Sequence, residues 1–304
     1  MATPMLSTQF PSIVEPILNE PFDAIYDQRD DEYAMVFTER SGTPRSYHEE
    51  PVMYGFGAAP ELPDGQPVTY SQGGVLFLAR YIYKVYGLAF ALTQVLIEDG
   101  DHIRLGRIFS ESLAQAMIET KETLGANVLN RAFNGSYLGG DGVSLNSASH
   151  PIVNGTFSNL LTTAAALSQT SMEQMLIQIR QAVDNNGKKI RLNGTQFVLS
   201  PQNVFQGEVL LKSVLKAGNA NNDINPVKSM GLLKKGQANL SRLTSATAWW
   251  IETDTPRGLQ LMMRRKLQRS MEKDFPTDSM RYKATERYAF GWTDPRAVYG
   301  TPGI

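Results

Sequence analysis

The 304-residue sequence contains no cysteine. That excludes disulfides, thiolate metal sites, iron–sulfur clusters and a cysteine nucleophile. No apolar run approaches the roughly 18 residues that a membrane-spanning helix needs. The N-terminus, MATPMLSTQFPSIVEPILNEPF, has no basic leader and no apolar core, so no signal peptide is expected. Histidine is scarce, and no two of His48, His102 and His150 share the i,i+4 spacing of a zinc helix. There is no Gly-x-Ser-x-Gly nucleophile elbow. Asn186-Gly187-Lys188-Lys189 lacks the upstream glycine of a phosphate-binding loop, and Gly139-Gly140-Asp141-Gly142 follows no strand, so it is no dinucleotide fingerprint. Glu98, Asp99 and Asp101 lack calcium-loop spacing and read as acids favoured by the dipole at a helix start. No metal ion, cofactor or catalytic residue is predicted. The Asn-Gly-Ser/Thr triplets at Asn134, Asn154 and Asn193 read as turns.

Charge is scarce too, at 19%, and unevenly placed. Residues 1–50 carry a net −7, residues 51–150 a net −3 and residues 151–304 a net +9. The basic residues are scattered, with no run longer than Arg264-Arg265-Lys266, and are not interleaved with aromatics as a groove for single strands requires. The pattern fits a self-complementary assembler, whose acidic N-terminal segment lies on a neighbour's basic face.

What is present is modular. Residues 1–45 hold five prolines, which predicts a short helix around Ser12–Leu18 and otherwise an extended arm that needs a partner surface. YHEEPVMYGFG reads as a strand, Pro63-Asp64-Gly65 as a turn, and VLFLARYIYKVYGLAFALT as a long returning strand with Ile82, Lys84, Tyr86, Leu88, Phe90 and Leu92 on one face. Together they predict a long hairpin, marginal without support. Leu105, Phe109, Leu113, Met117, Leu124 and Val128 predict a helix of about 28 residues, roughly 40 Å long. Asp101 is its expected N-cap, Gly135 its C-terminal stop, and Glu111, Glu119, Glu122 and Arg131 its polar face. Residues 135–160 form a Gly/Asn/Ser loop, long enough to be functional or buried in an assembly. A helix over 171–186 with Met172, Met175, Leu176, Ile179 and Val183 inward, a strand at Gln196–Leu199 and a helix over Val204–Leu215 follow, then an Asn-rich loop over 218–231. The last quarter alternates as strands, with Arg281, Lys283, Thr285 and Arg287 on one face, and Tyr282, Ala284, Tyr288 and Phe290 on the other, interrupted by Glu286. Helices and strands segregate, so the fold class is α+β. An arm and a hairpin that cannot bury themselves suit a subunit of a symmetric assembly.

YKVYGLAFALTQVLIEDGD, the long helix after it, DGVSLNSASHP and the terminal YAFGWTDPRAVYG, in that order, resemble the major capsid proteins of tailed double-stranded-DNA bacteriophages, which have the Hong Kong 97 capsid fold. The resemblance runs from about residue 46 to 300. It implies an N-arm (1–45), an E-loop hairpin (46–90), a P-domain with a spine helix near 101–134 and a long loop (91–160), mainly an A-domain over 160–250, and return strands over 251–304, mainly of the P-domain.

The resemblance further implies copies of the chain closing, as hexamers and pentamers, into an icosahedral phage head around DNA contacted nonspecifically. Assembly would take place in the host bacterial cytoplasm, with no membrane partner. A separate scaffolding protein and a portal are expected as partners, with decoration proteins as further ones. Some members crosslink through a lysine near the E-loop tip; this sequence has none between Arg45 and Arg80, and Lys84 lies at the base, so isopeptide crosslinking is not expected. The expected intersubunit contacts are Tyr54, Phe56, Tyr70, Leu76 and Phe77 of the E-loop, and Asp23, Asp27, Asp30, Asp31 and Glu32 of the acidic arm. Two alternatives stand beside this reading: an encapsulin-type nanocompartment shell, and a hydrolase using His150 and Asp141.

Overall fold

A computed structural model of the chain describes residues 10–28, 31–99, 102–216 and 223–304. It opens with helix α1 (Phe10–Gln28), which is longer than predicted and runs through Pro16 and Pro21. A proline inside a helix costs about 3 kcal/mol. Burial offsets that cost here. Leu18 and Phe22 are 1% and 0% exposed, with Ile25 and Tyr26 packed beside them. Their partners are Leu113, Ala114 and Met117 of a second helix, where Gly106 permits the approach: a Cβ on it would lie 2.8 Å from Leu18 Cδ2. Over Phe10–Gln28 the arm is therefore a helix docked on its own subunit rather than an extended strap.

A single 3₁₀ turn (Glu32–Met35) leads to β1 (Thr38–Ser41). Strands β2 (Tyr47–Tyr54) and β3 (Gly74–Ile82) form the predicted antiparallel hairpin. The returning strand is not continuous. It breaks at Tyr83, whose side chain is buried and whose N–H donates to the Ser46 carbonyl at 3.2 Å. Beyond the break, β4 (Lys84–Leu92) belongs to another sheet. Ile82 and Leu88, read on one face with Tyr86, Phe90 and Leu92, are both more than half in solvent.

Helix α2 (Gln94–Glu98) precedes the long α3 (His102–Asn130), 29 residues or about 43 Å. The expected cap Asp101 lies outside the described residues. Gly135 does not stop the helix; the last turn tightens instead through Ala132 N–H to the Leu129 carbonyl at 3.0 Å. Its supposed polar face is also partly inside: Glu122 is buried and accepts the backbone N–H groups of Glu32 (2.8 Å) and Tyr33 (3.0 Å). The loop after it holds a small hairpin, β5 (His150–Ile152) with β6 (Gly155–Phe157). Asn134 and Asn154 do lie at turns, whereas Asn193 is held in place by Asp254 through its N–H at 2.9 Å.

Then come α4 (Gln169–Arg180), β7 (Gly194–Leu199), α5 (Val204–Lys212), α6 (Pro226–Ser229), β8 (Gly236–Asn239), β9 (Trp249–Thr253), β10 (Leu259–Lys273), β11 (Met280–Trp292) and β12 (Val298–Thr301). The cap of α4 is Ser168, reciprocally bonded with Ser171, rather than Ser171 itself; the helix ends before Val183. The Asn-rich loop contains α6, capped by the buried Asn225.

Two four-stranded sheets result, in the orders β1-β10-β11-β4 and β12-β9-β7-β8. Helix α3 and α1 cover the first, and α4 and α5 one face of the second. Side chains alternate across a strand, so the adjacent Trp249 and Trp250 face opposite ways. Trp249 packs edge-on to Phe197 in the core under α4 and α5; Trp250 stacks on Phe133 in the core shared with α3 and the first sheet. The apolar face of β11 is as predicted, and Glu286, its one interruption, meets Lys121 of α3 at 2.9 Å.

Candidate functional site

The largest unburied element is the hairpin tip. Every residue from 55 to 73 is exposed. The Pro63-Asp64-Gly65 turn is present, with Gly65 in the left-handed region that glycine tolerates. Phe56 is 62% and Tyr70 97% exposed; Tyr54, Leu76 and Phe77 are half-buried. The base of the tip is held to the body by the 185–188 turn: Asn185 donates to the Met53 carbonyl (2.8 Å), Asn186 to that of Gly55 (2.7 Å) and Lys188 to that of Phe56 (2.6 Å).

The acidic arm residues divide. Asp23 pairs with Arg269 of its own chain at 2.5 Å. Glu32 accepts from the Ser241 N–H at 2.7 Å and lies 3.2 Å from Arg242. Desolvation alone would raise the Glu32 pKa, but the Ser241 hydrogen bonds and the Arg242 charge override it and hold it below the ordinary value. Asp31 accepts the Tyr33 hydroxyl at 2.7 Å, Asp27 is exposed, and Asp30 lies outside the described residues. Much of the arm's charge is thus satisfied within the subunit.

Deeper in, Glu252 accepts from the Gln196 amide, which also donates to the Met35 carbonyl at 2.6 Å. Burial pushes its carboxyl up to about 7, against the pull of Lys235 and that hydrogen bond. Among the described residues, no group of three or more His, Asp or Glu is placed to hold a metal ion, and no helix is long and apolar enough to cross a membrane.

A family model described as phage capsid protein matches residues 82–301. The chain belongs to the phage capsid protein family. No curated protein sequence matches this capsid protein. Its fold is that of solved capsids. The cyanophage P-SCSP1u capsid subunit superposes with a TM-score of 0.55 at 11% identity, over 88% of this chain and 86% of that one. The procapsid subunit of bacteriophage JBD30 gives 0.53 at 16%, over 98% and 76%. The virus-like particle of Pyrococcus furiosus gives 0.50 at 9%, over 94% and 98%. The α+β class and the Hong Kong 97-like architecture follow.

In this capsid protein, His150 and Asp141 do meet, but with both side chains buried. The imidazole is fully buried, with Nδ1 2.6 Å from Asp141 and Nε2 3.1 Å from Asn159 Oδ1. Asn159 in turn donates to the carbonyls of Leu145, Pro295 and Val298. Both ring nitrogens are taken, so neither can serve a substrate; the group ties the 141–159 loop to β12. Sequence reasoning missed a row of exposed apolar side chains along the hairpin and β4, namely Met53, Val75, Leu78, Ile82, Val85 and Leu88, each about half exposed or more. Their β-branched and aliphatic character was visible, but not which way they point once the strand breaks at Tyr83.

Proposed function

We propose that the chain is the major capsid protein of a tailed double-stranded-DNA phage, closing as hexamers and pentamers into an icosahedral head. The observation that carries the reading is the fully exposed 55–73 tip with its large apolar side chains, on a chain of the phage capsid family. Such a surface on one copy is covered by another in a shell. In this reading the hairpin is the E-loop and α1 the N-arm. The first sheet with α3 is the P-domain, and the sheet containing β7 and β8, with α4 and α5, the A-domain. Contact residues are Tyr54, Phe56, Tyr70, Leu76 and Phe77, joined by Asp27 and Asp31 of the arm. A separate scaffolding protein and a portal would set size and the DNA entrance, and DNA contact would be nonspecific and salt-sensitive.

The test is electron microscopy of the purified chain, alone and co-expressed with its genomic neighbours, with Phe56→Asp/Phe77→Asp beside the wild type. Closed shells from the wild type and soluble, folded, unclosed capsomers from the variant are expected; normal shells from the variant would refute the contact assignment. The likeness to the Pyrococcus furiosus particle over nearly its whole length favours one second reading, a nanocompartment enclosing protein cargo. Nucleic-acid content of purified shells separates the two.

A further inference from the structure

A cleft of about 720 Å³ opens at the hairpin root, a size ordinary for small-molecule sites. Separate segments build it. Arg80, Ile82, Lys84 and Tyr86, every second residue along β3 and the start of β4, form one wall. Leu124, Asn127, Val128 and Arg131, three or four residues apart, bring one face of the end of α3 to another. Residues 136–140 and the end of β11 complete it. Glycines let that loop lie close: a Cβ on Gly140 would come 2.4 Å from the Leu78 carbonyl oxygen, and one on Gly139 2.8 Å from Trp292 Nε1.

The lining is more polar than apolar, and its charge has one sign. Arg80, Lys84 and Arg131 stand at it, and no carboxylate does. Arg80 is partly committed, 3.5 Å from Glu49 and stacked on Tyr47. Lys84 and Arg131 have no ion-pair partner among the described residues, and Arg131 lies over the Tyr137 ring at 4.4 Å. The hydroxyls of Tyr86 and Tyr137 and the Trp292 indole N–H, also at the cleft, have no hydrogen-bond partner among the described residues. The cleft therefore presents cations, unused donors and aromatic rings together. A ligand that answers all three carries negative charge, acceptor atoms and a flat ring.

We propose that this root cleft binds a nucleoside phosphate, free or as a unit of a single strand. Its phosphate meets Lys84 and Arg131, with Arg80 beside them, and its base lies against Tyr137 and Trp292. Along the sequence the basic residues are not interleaved with aromatics, but the fold brings three of them to the same cleft as Tyr86, Tyr137 and Trp292. An acidic peptide or a bare polyphosphate would meet the cations and leave the rings unused. A duplex keeps its bases stacked inside and offers the rings nothing. The inference concerns the single subunit and is independent of whether copies close into a shell.

Tryptophan fluorescence of the unassembled full-length chain tests it. Trp249 and Trp250 are 0% and 1% exposed, so of the three indoles only Trp292 is open to a ligand. ATP and a single-stranded oligothymidylate of about ten nucleotides are the probes. Saturable quenching is expected, and Trp292→Phe should abolish it. Lys84→Glu/Arg131→Glu should weaken binding roughly tenfold or more. For the oligonucleotide, the slope of log affinity against log salt should be about −2 with three cations and about −0.7 in that variant. Tyr137→Leu should weaken ATP several-fold and leave inorganic tripolyphosphate, followed by calorimetry, unmoved. Lys84, Arg131 and Tyr137 are exposed, so melting should not shift. Binding of ATP alone assigns the cleft to free nucleotide, and binding of the oligonucleotide alone to a strand. Quenching by neither overturns the proposal. So does undiminished binding to Lys84→Glu/Arg131→Glu, tripolyphosphate held as tightly as ATP, or a duplex held as tightly as the single strand.

Discussion

The ion pair of Lys121 and Glu286 fastens the arm helix to the body. Their side chains are 7% and 1% exposed, and their charges lie 2.9 Å apart. The Tyr26 hydroxyl of α1 donates to Glu286 and accepts from Lys121 at 2.5 Å. Burial, then the Glu286 charge, pushes the Tyr26 phenol far above its ordinary value, so it stays a donor at any working pH. Lys121→Met removes the cation and leaves a buried carboxylate, which costs about 3–5 kcal/mol. In a chain whose total stability is about 5–15 kcal/mol, that is a large share, and at roughly 2–4 °C per kcal/mol the melting temperature should fall by about 10 °C. The double variant Lys121→Met/Glu286→Leu leaves no orphan charge. It should recover most of the loss, because replacing a buried pair by apolar residues is often neutral. Thermal and urea melts of unassembled subunits, run as a double-mutant cycle, read both numbers. A single variant as stable as wild type, or a double variant no better than the single, would refute the account.

Three other outcomes are expected. Glu32 has a depressed folded-state pKa, so its contribution is present above the ordinary carboxylate value of about 4 and is lost as pH falls through the folded value; in acid melts Glu32→Gln should lack that component. Glu252 is the opposite case. Its pKa is raised to about 7, so stability from this site is fully present below the ordinary value and lost as pH rises through about 7; Glu252→Gln should flatten the melting temperature between the ordinary carboxylate value of about 4 and the folded value of about 7, and a wild-type slope retained by the variant counts against the assignment. His150→Ala strands the buried Asp141 and three-carbonyl Asn159 network, so it should cost about 3–5 kcal/mol of stability; a hydrolytic activity lost by a variant that melts like wild type would revive the catalytic reading.

What was legible in the sequence is local. The long α3, the inward Met172, Met175, Leu176 and Ile179 of α4, the Pro63-Asp64-Gly65 turn and the alternation of β11 each depend on periods of 3.6 or 2 or on turn chemistry, and each is present; of the stripe expected on α3, Leu113 and Met117 are buried, Leu105, Leu124 and Val128 only partly so, and Phe109 is exposed. The errors lie where distant residues decide. Two prolines argue locally against α1, but Leu18 and Phe22 are held by residues about ninety positions on and by Tyr282. The break at Tyr83 depends on Ser46 and Thr43, and the fate of Glu122 on the backbone of the Glu32 turn. The 135–160 loop read as functional or buried in an assembly; that it is tied down within the subunit was not legible, because the carbonyls that Asn159 satisfies come partly from residues 295 and 298. At the candidate interface, the composition of the tip was readable, but not that the tip stays uncovered by the rest of the subunit while Asn185, Asn186 and Lys188 hold its base.

The back-to-back tryptophans carry a mechanical consequence. Trp249 is rooted in one core and Trp250 in the other, on neighbouring residues of a strand inside its sheet. No hinge line can run between the two bodies without pulling an indole out of its packing. The subunit should therefore melt in one step and travel as a rigid tile, so that differences in curvature within an assembly of copies would be taken up in the hairpin tip and at contacts between tiles.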